Sequence, residues 1–225
     1  VTESTIQVRS LHKSFAHGRG RNDVLCGLDL EIEPGEIVAI TGRSGSGKTS
    51  LLNILGGLDS DFSGTVRVAS HDLGSMGDAA LSRFRNEVIG FVFQSFHLID
   101  SMTCIENIAL PFTYSRKEKR SLSPPIVEKV LERVGLSGLG NDTTRTMSGG
   151  QKQRAAIGRA ILLGPRVLLC DEPTGNLDEE TGAQILELFR DLNDTEHMTV
   201  VLVTHEERVA RIAGRVLELK EGVLA

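Results

Sequence analysis

Apolar and polar residues alternate along three short stretches of the chain, Thr5 to Arg9, Leu28 to Ile32 and Gly64 to Val68. A period of two predicts half-buried strands, and together they suggest a small antiparallel sheet. Four further runs are apolar almost throughout: residues 36–40, Val88 to Phe93, Arg166 to Cys170 and Thr199 to Thr204. Such runs predict strands covered on both faces, as in a parallel sheet. Helical spacing lies between them. Ser50 to Leu55 is one such segment, and Val127, Val130, Leu131 and Val134 fall at i, i+3, i+4 and i+7 of another, which Gly135 ends. Ser148 to Leu163 and the stretch carrying Ile185, Leu188, Phe189 and Leu192 predict two more. Pro34-Gly35 and Gly56-Gly57 mark turns, and residues 216–224 read as a hairpin-like end. The pattern as a whole predicts an α/β fold, with a parallel core beside the antiparallel strands.

Candidate chemistry collects at the ends of the predicted strands. Gly42-Arg43-Ser44-Gly45-Ser46-Gly47-Lys48-Thr49 has the spacing G-x-x-x-x-G-K-[ST], between a strand and the helix opened by Ser50. Glycines let successive backbone N–H groups face one anion, Lys48 adds a positive charge, and Thr49 offers a hydroxyl to Mg²⁺. Nucleotide phosphate is the expected ligand. Asp171 and Glu172 end another strand. Strand alternation sends them to opposite faces, so Asp171 is expected to hold Mg²⁺ and Glu172 to polarise an attacking water. Gln94 and His205 end two more strands. The Gln94 amide is placed to reach a metal or a water, and His205 to donate a hydrogen bond to a terminal phosphate.

Two further features leave alternatives open. Phe15 is either a core or turn aromatic or a platform on which a purine stacks. Ser148 and Gln151 have the S-x-x-Q spacing of a helix capping box, but Gly149 and Gly150 between them cost about 1 kcal/mol each in helix propensity. Their presence suggests a bare helix end that a second phosphate approaches.

Composition narrows the setting. The 225 residues are 40% apolar and 24% charged, which describes an ordinary globular chain. A net charge of −5 gives no electrostatic reason to expect nucleic acid as a partner. No apolar run approaches the roughly 18 residues of a membrane span, and no charged-then-apolar signal pattern opens the chain. Cys26, Cys104 and Cys170 are widely spaced without C-x-x-C, so neither a zinc site nor a disulfide framework is expected, and a reducing cytoplasm is. The charge run Arg116 to Arg120 reads as a solvated face, or else as contact with a partner or lipid head groups.

In their order along the chain, the P-loop, Gln94, Met147-Ser148-Gly149-Gly150-Gln151, Asp171-Glu172, Gly175-Asn176-Leu177-Asp178 and Thr204-His205 resemble the nucleotide-binding domain of an ABC transporter. Residues 90–99 and 171–178 are similar to the branch containing the lipoprotein-release, macrolide-export and cell-division ATPases. The resemblance covers essentially the whole chain. It implies a P-loop NTPase (RecA-like) core with the antiparallel β subdomain over 1–94 and 162–225, and a helical subdomain over 95–161. It implies ATP and Mg²⁺ as cofactors, with Gly42, Ser44, Gly45, Ser46, Gly47, Lys48, Thr49 and Ser50 around the phosphates. Thr49, Gln94 and Asp171 would hold the metal, and Glu172, His205 and Lys48 would be catalytic. Phe15 would stack on adenine, Ser148 to Gln151 would touch ATP held by the opposite subunit, and Asp178 would lie at the centre of a head-to-tail dimer. Integral membrane permease subunits would be the partners, with the chain peripheral on the cytoplasmic face of the inner membrane. The implied activity is ATP hydrolysis that powers extrusion or extraction of a lipoprotein, peptide or drug-like substrate; the alternative is mechanotransmission without transport. Phe15 departs from the commoner tyrosine and Met147 from the usual leucine.

Overall fold

The computed structural model describes residues 4–17, 20–115 and 124–224. Charged residues 116–120 lie outside the described residues. Two long strands, β1 (Ile6–His17) and β2 (Gly20–Ile32), form an antiparallel hairpin. The sequence pattern marks only their ends near Thr5 to Arg9 and Leu28 to Ile32. Register shifts after Val8, Leu11 and Lys13 break the alternation midway, and Ser10 adopts a positive φ of 47°. Each bulge moves following side chains to the other face, so the period of two is lost although the pairing continues. Strand β3 (Ile37–Thr41) runs into the glycine loop, and helix α1 (Lys48–Leu55) follows it. Strands β4 (Ser63–Val68) and β5 (His71–Asp72) complete a four-stranded sheet in the order β2-β1-β4-β5.

Helix α2 (Asp78–Glu87) leads into β6 (Ile89–Phe93). Helices α3 (Cys104–Tyr114), α4 (Pro124–Arg133) and α5 (Gly149–Ile161) come next, all within 95–161. The chain then alternates: β7 (Val167–Asp171), α6 (Glu179–Glu196), β8 (Thr199–Val203), α7 (Glu207–Ala210) and a terminal pair, β9 (Arg215–Lys220) and β10 (Val223–Leu224). The second sheet has the order β10-β9-β3-β8-β7-β6, parallel from β9 to β6. β9 and β10 form the expected hairpin, and β9 also extends the parallel sheet beside β3.

Helices α2 and α3 are absent from the hydrophobic pattern. α2 buries only Leu81 and Phe84. α3 carries Pro111 within it, yet Thr103 and Glu106 form a complete capping box at its start. That T-x-x-E spacing is the signal in the sequence that locates it.

The parallel sheet separates two cores. Val167, Leu169, Val201 and Val203 join α1 and the antiparallel sheet on one side. Leu168, Cys170, Val200 and Leu202 join α3, α5 and α6 on the other. Cys170 is the small buried side chain its position suggests, and burial pushes its thiol far up in pKa; Cys104, also buried, is pushed up to about 11. All three cysteines are unpaired.

Gly56 shows how closely the layers meet. A Cβ there would stand 1.9 Å from Cζ of Phe91, whose ring is stacked on Phe93 at 5.3 Å. Gly56→Ala should therefore lower unfolding stability by about 1–3 kcal/mol, as overpacking does, measured by urea denaturation. A stability equal to the parent's would mean that the Phe91 ring yields freely.

Candidate active site

Glycines shape the phosphate loop through its neighbours. Gly42 has φ 150°, and a Cβ on it would lie 2.4 Å from the Leu219 carbonyl oxygen. Gly47, at φ 102°, caps α1 without any side-chain bond, and a Cβ there would meet Val24 Cγ1 at 2.9 Å. The first amides of α1 are therefore left to a ligand. Lys48 is 8% exposed, and its Nζ donates to the carbonyls of Gly42 at 2.9 Å and Arg43 at 3.0 Å.

Around this loop lies a cavity of about 780 Å³. Gly42, Ser44, Gly45, Gly47, Lys48, Thr49 and Ser50 line it on one side; Gln94, Asp171, Glu172 and His205 line it from the other strand ends. Ser46 turns inward instead, its Oγ buried and without a hydrogen-bond partner. Phe15 stands opposite Asn22 in the hairpin, 45% exposed and outside that lining. It is neither a core nor a turn residue.

Thr49 Oγ1 donates to Asp171 Oδ2 at 3.1 Å. Desolvation by burial raises the Asp171 carboxyl pKa, as does the neighbouring Glu172 charge, against the opposing effects of Thr49 and Lys48. A cation beside Asp171 would offset that loss of hydration. The oxygen donors suit Mg²⁺. Among the described residues no group of three His, Cys, Asp or Glu is placed to hold a metal, so a bound ion would have to complete its shell with phosphate oxygens and water.

Glu172 departs from strand alternation. β7 stops at Asp171, and Glu172 takes a φ of 47°, which costs a non-glycine residue about 1–3 kcal/mol. That turn brings its carboxylate into the cavity with Asp171, where continued alternation would have pointed it away. Its backbone N–H donates to Val203 O at 2.9 Å, and buried Thr204 donates to Oε2 at 3.1 Å. His205 Nδ1 stands 2.6 Å from Oε1. An ionised carboxylate only accepts, so Nδ1–H is committed to Glu172. Donation from His205 to a phosphate then requires the imidazolium, through Nε2, or a turn of the ring.

The remaining expected site residues form a second group away from the cavity. Ser148 and Gln151 make the full capping box of α5: Gln151 Oε1 accepts from Ser148 N at 2.9 Å and Ser148 Oγ from Gln151 N at 3.3 Å. A Cβ on Gly149 would make only ordinary contact with Leu177, at 3.5 Å. Gly150 has a packing cause: its Cβ would lie 2.4 Å from Thr181 Cγ2. Asp178 caps α6, accepting from Thr181 N at 2.9 Å and Thr181 Oγ1 at 2.7 Å; these bonds hold its carboxyl pKa down. The two groups are linked by residues the sequence did not single out for a role. Fully buried Gln153 on α5 donates to Pro173 O at 2.6 Å, one residue after Glu172. Asn176 donates to Gln94 O at 2.9 Å, and Arg159 to Phe96 O at 2.8 Å.

Comparison with known proteins settles what carries this geometry. Residues 25–175 match the family described as "ABC transporter". The chain belongs to the ABC transporter family. It is an ABC-type ATP hydrolase with a P-loop NTPase fold. It is similar to the lipoprotein-releasing system ATP-binding protein LolD of Myxococcus xanthus, 43% identical over 96% of each chain. It is also similar to the macrolide export ATP-binding/permease protein MacB of Rhodopirellula baltica, 45% identical over 98% of this chain but 32% of that protein. The cassette thus spans about a third of the MacB relative and nearly all of the LolD one. Among solved structures, the dimeric ABC transporter cassette MJ0796 matches with a TM-score of 0.90 and 37% identity, covering 97% of this chain and 96% of that one. The same cassette has a dimeric post-hydrolysis form bound to ADP and Pi, at 36% identity. No helix among the described residues of the ATPase is long and apolar enough to cross a membrane.

Gly150→Ala tests why the glycine is there. Alanine gains about 1 kcal/mol in helix propensity, but its Cβ would meet a Thr181 methyl whose rotamer is held by the bond from Oγ1 to Asp178. Net destabilisation of about 1–2 kcal/mol in urea is expected, with recovery when Thr181→Ser removes the opposing methyl. A stabilised Gly150→Ala protein would rule out the packing cause.

Proposed function

We propose that two copies of the ATPase close head to tail around two Mg·ATP, hydrolyse them and reopen, and so drive integral membrane permease subunits. The observation that carries this reading is the separation of the two groups of site residues. The P-loop, Asp171, Glu172 and His205 share one cavity, whereas Ser148 to Gln151 and Asp178 lie outside it. A second chain, turned head to tail, would bring its Ser148 to Gln151 over the first chain's P-loop. The dimeric state of the similar cassettes supports this arrangement.

Within each site the P-loop amides and Lys48 hold the phosphates, and Phe15 stacks on the adenine. Thr49, Asp171 and Gln94 hold Mg²⁺, which supplies charge neutralisation on the phosphate oxygens. Glu172 accepts a hydrogen bond from the attacking water and polarises it. Thr204 and His205 keep that carboxylate aimed, so His205 acts on the reaction partly through Glu172. Contacts to the terminal phosphate are lost after cleavage and the dimer reopens. Gln94 and the segment after it pass the movement on, with Asn176 and Arg159 fastening that segment to the catalytic loop and to α5.

The membrane partner extrudes or extracts a lipoprotein, peptide or drug-like substrate from the membrane, in keeping with the names of the LolD and MacB relatives. The ATPase acts at the cytoplasmic face. Glu172→Gln preserves the shape of the turn and its backbone bond to Val203, but removes the charge and turns one accepting oxygen into a donor. ATP binding should persist while turnover falls about a hundredfold or more, as loss of a general base predicts, and an ATP-dependent dimer should accumulate on size exclusion. Undiminished turnover would refute the role of Glu172.

A further inference from the structure

We propose that Lys13 is a positioning residue for the nucleotide base, its ammonium fixed against one face of the Phe15 ring so that the other face stacks preferentially on a purine. This rests on the reading of Phe15 as the base platform. Lys13 is 4% exposed, and its Nζ lies 4.8 Å from the centre of the Phe15 ring. Asp59 accepts from it at 2.9 and 3.0 Å, the Asp61 carbonyl at 2.6 Å and the Asp61 carboxylate at 3.3 Å. An ammonium has three donors, and here three groups receive them. Lys13 therefore has no donor left for a phosphate, and its ammonium acts in place as the positive end of its pairs with Asp59 and Asp61. Burial alone would lower its pKa, but the bonds and charges of the two aspartates outweigh this and raise it, so the group stays cationic.

The anchors connect base to phosphate. Asp59 and Asp61 lie in the loop just after α1, the helix whose first amides form the phosphate loop. That loop is held to the helix by Leu58 N and Asp59 N, both donating to Asn53 O. Lys13 thus sets the distance from the base platform to the phosphate site through one rigid helix. An ion pair that merely joined β1 to this loop would need no aromatic ring above it. Phe15 is nonetheless 45% exposed, with the ammonium on one side. A cation on one face draws π density towards itself, which lessens repulsion between the free face and the electron-rich rings of a purine. A pyrimidine, smaller and poorer in electrons, gains less.

The test is equilibrium binding of ATP and CTP by calorimetry to Lys13→Gln, Lys13→Met, Lys13→Arg, Phe15→Ala and the unaltered chain. Lys13→Gln keeps a donor for Asp59 without the charge, so it remains informative if Lys13→Met does not fold. The preference for ATP over CTP should fall about three- to fivefold in Lys13→Gln and Lys13→Met and return in Lys13→Arg, matching a cation–π contribution. In a Phe15→Ala background, Lys13→Gln should have no further effect on that preference. Equal weakening of ATP and CTP, or no weakening, would leave Lys13 an ion pair that holds the fold and overturn the proposal. Phe15→Ala separates the two ideas. If it leaves ATP affinity unchanged, the platform reading falls and the role of Lys13 with it. If it weakens ATP about fivefold or more, as loss of a base stack does, and Lys13→Gln does not alter the preference, only the role of Lys13 is lost.

Discussion

Ile40, Val203 and Asp171 stand side by side in neighbouring parallel strands, with Val203 paired to both of the others. The candidate chemistry starts in this row and within two residues of it: Asp171 itself and Glu172, Thr204 and His205 after Val203, and Gly42 two residues after Ile40. Because a shift of one residue would turn each side chain to the other face, this register determines which groups meet. It is held by the apolar residues below it. Val38, Ile40, Leu169, Val201 and Val203 on one face and Leu168, Cys170, Val200 and Leu202 on the other are all buried, so a slipped strand would force side chains of the wrong shape into two close-packed cores at once. Each such misfit costs about 1–3 kcal/mol, and a slip makes several together.

The stability of the sheet also accommodates the unfavourable turn at Glu172. A positive φ at a charged, β-terminal residue persists only where its surroundings over-determine it. Here the backbone of Glu172 is bound to Val203, its carboxylate to Thr204 and His205, and the carbonyl of Pro173 to Gln153. Gln153 belongs to α5, the helix that opens at Ser148. One chain therefore carries a covalently short and fully buried connection between its glutamate turn and the helix end that would face another copy. The close approach of Gly150 to Thr181 ties that same helix end to α6 and to Asp178. In the proposed head-to-tail dimer, these contacts would give closure a direct mechanical route to the Glu172 carboxylate.

With Phe15 as the proposed base platform, Lys13 and its aspartates would place a further control at the opposite end of the nucleotide. Its charge does not enter the phosphate cavity, yet α1 links it to the loop that does. Base recognition and phosphate recognition would then share one helix, entered at Gly47 and left at Gly56.

Much of this protein is legible from its residues in line. The glycine loop, the strand-ending Gln94, Asp171, Glu172 and His205, and the S-x-x-Q helix start are local patterns, because phosphate binding, strand burial and helix capping each depend on neighbours a few positions apart. The same locality explains what the pattern omits. Bulges in β1 erase its period, α2 has too few buried positions to declare a face, and Lys13 is an ordinary surface residue until Asp59 and Asp61 fold over it. Strand alternation would have separated Asp171 from Glu172; a single left-handed residue reunites them. Gly150 suggests a ligand in the sequence; the structure adds a second cause, Thr181 packed against it. The chain by itself determined which chemistry is present and on which elements it sits. Only the tertiary structure decided which groups share a cavity, because that depends on register, backbone twist and contacts between residues far apart in the chain.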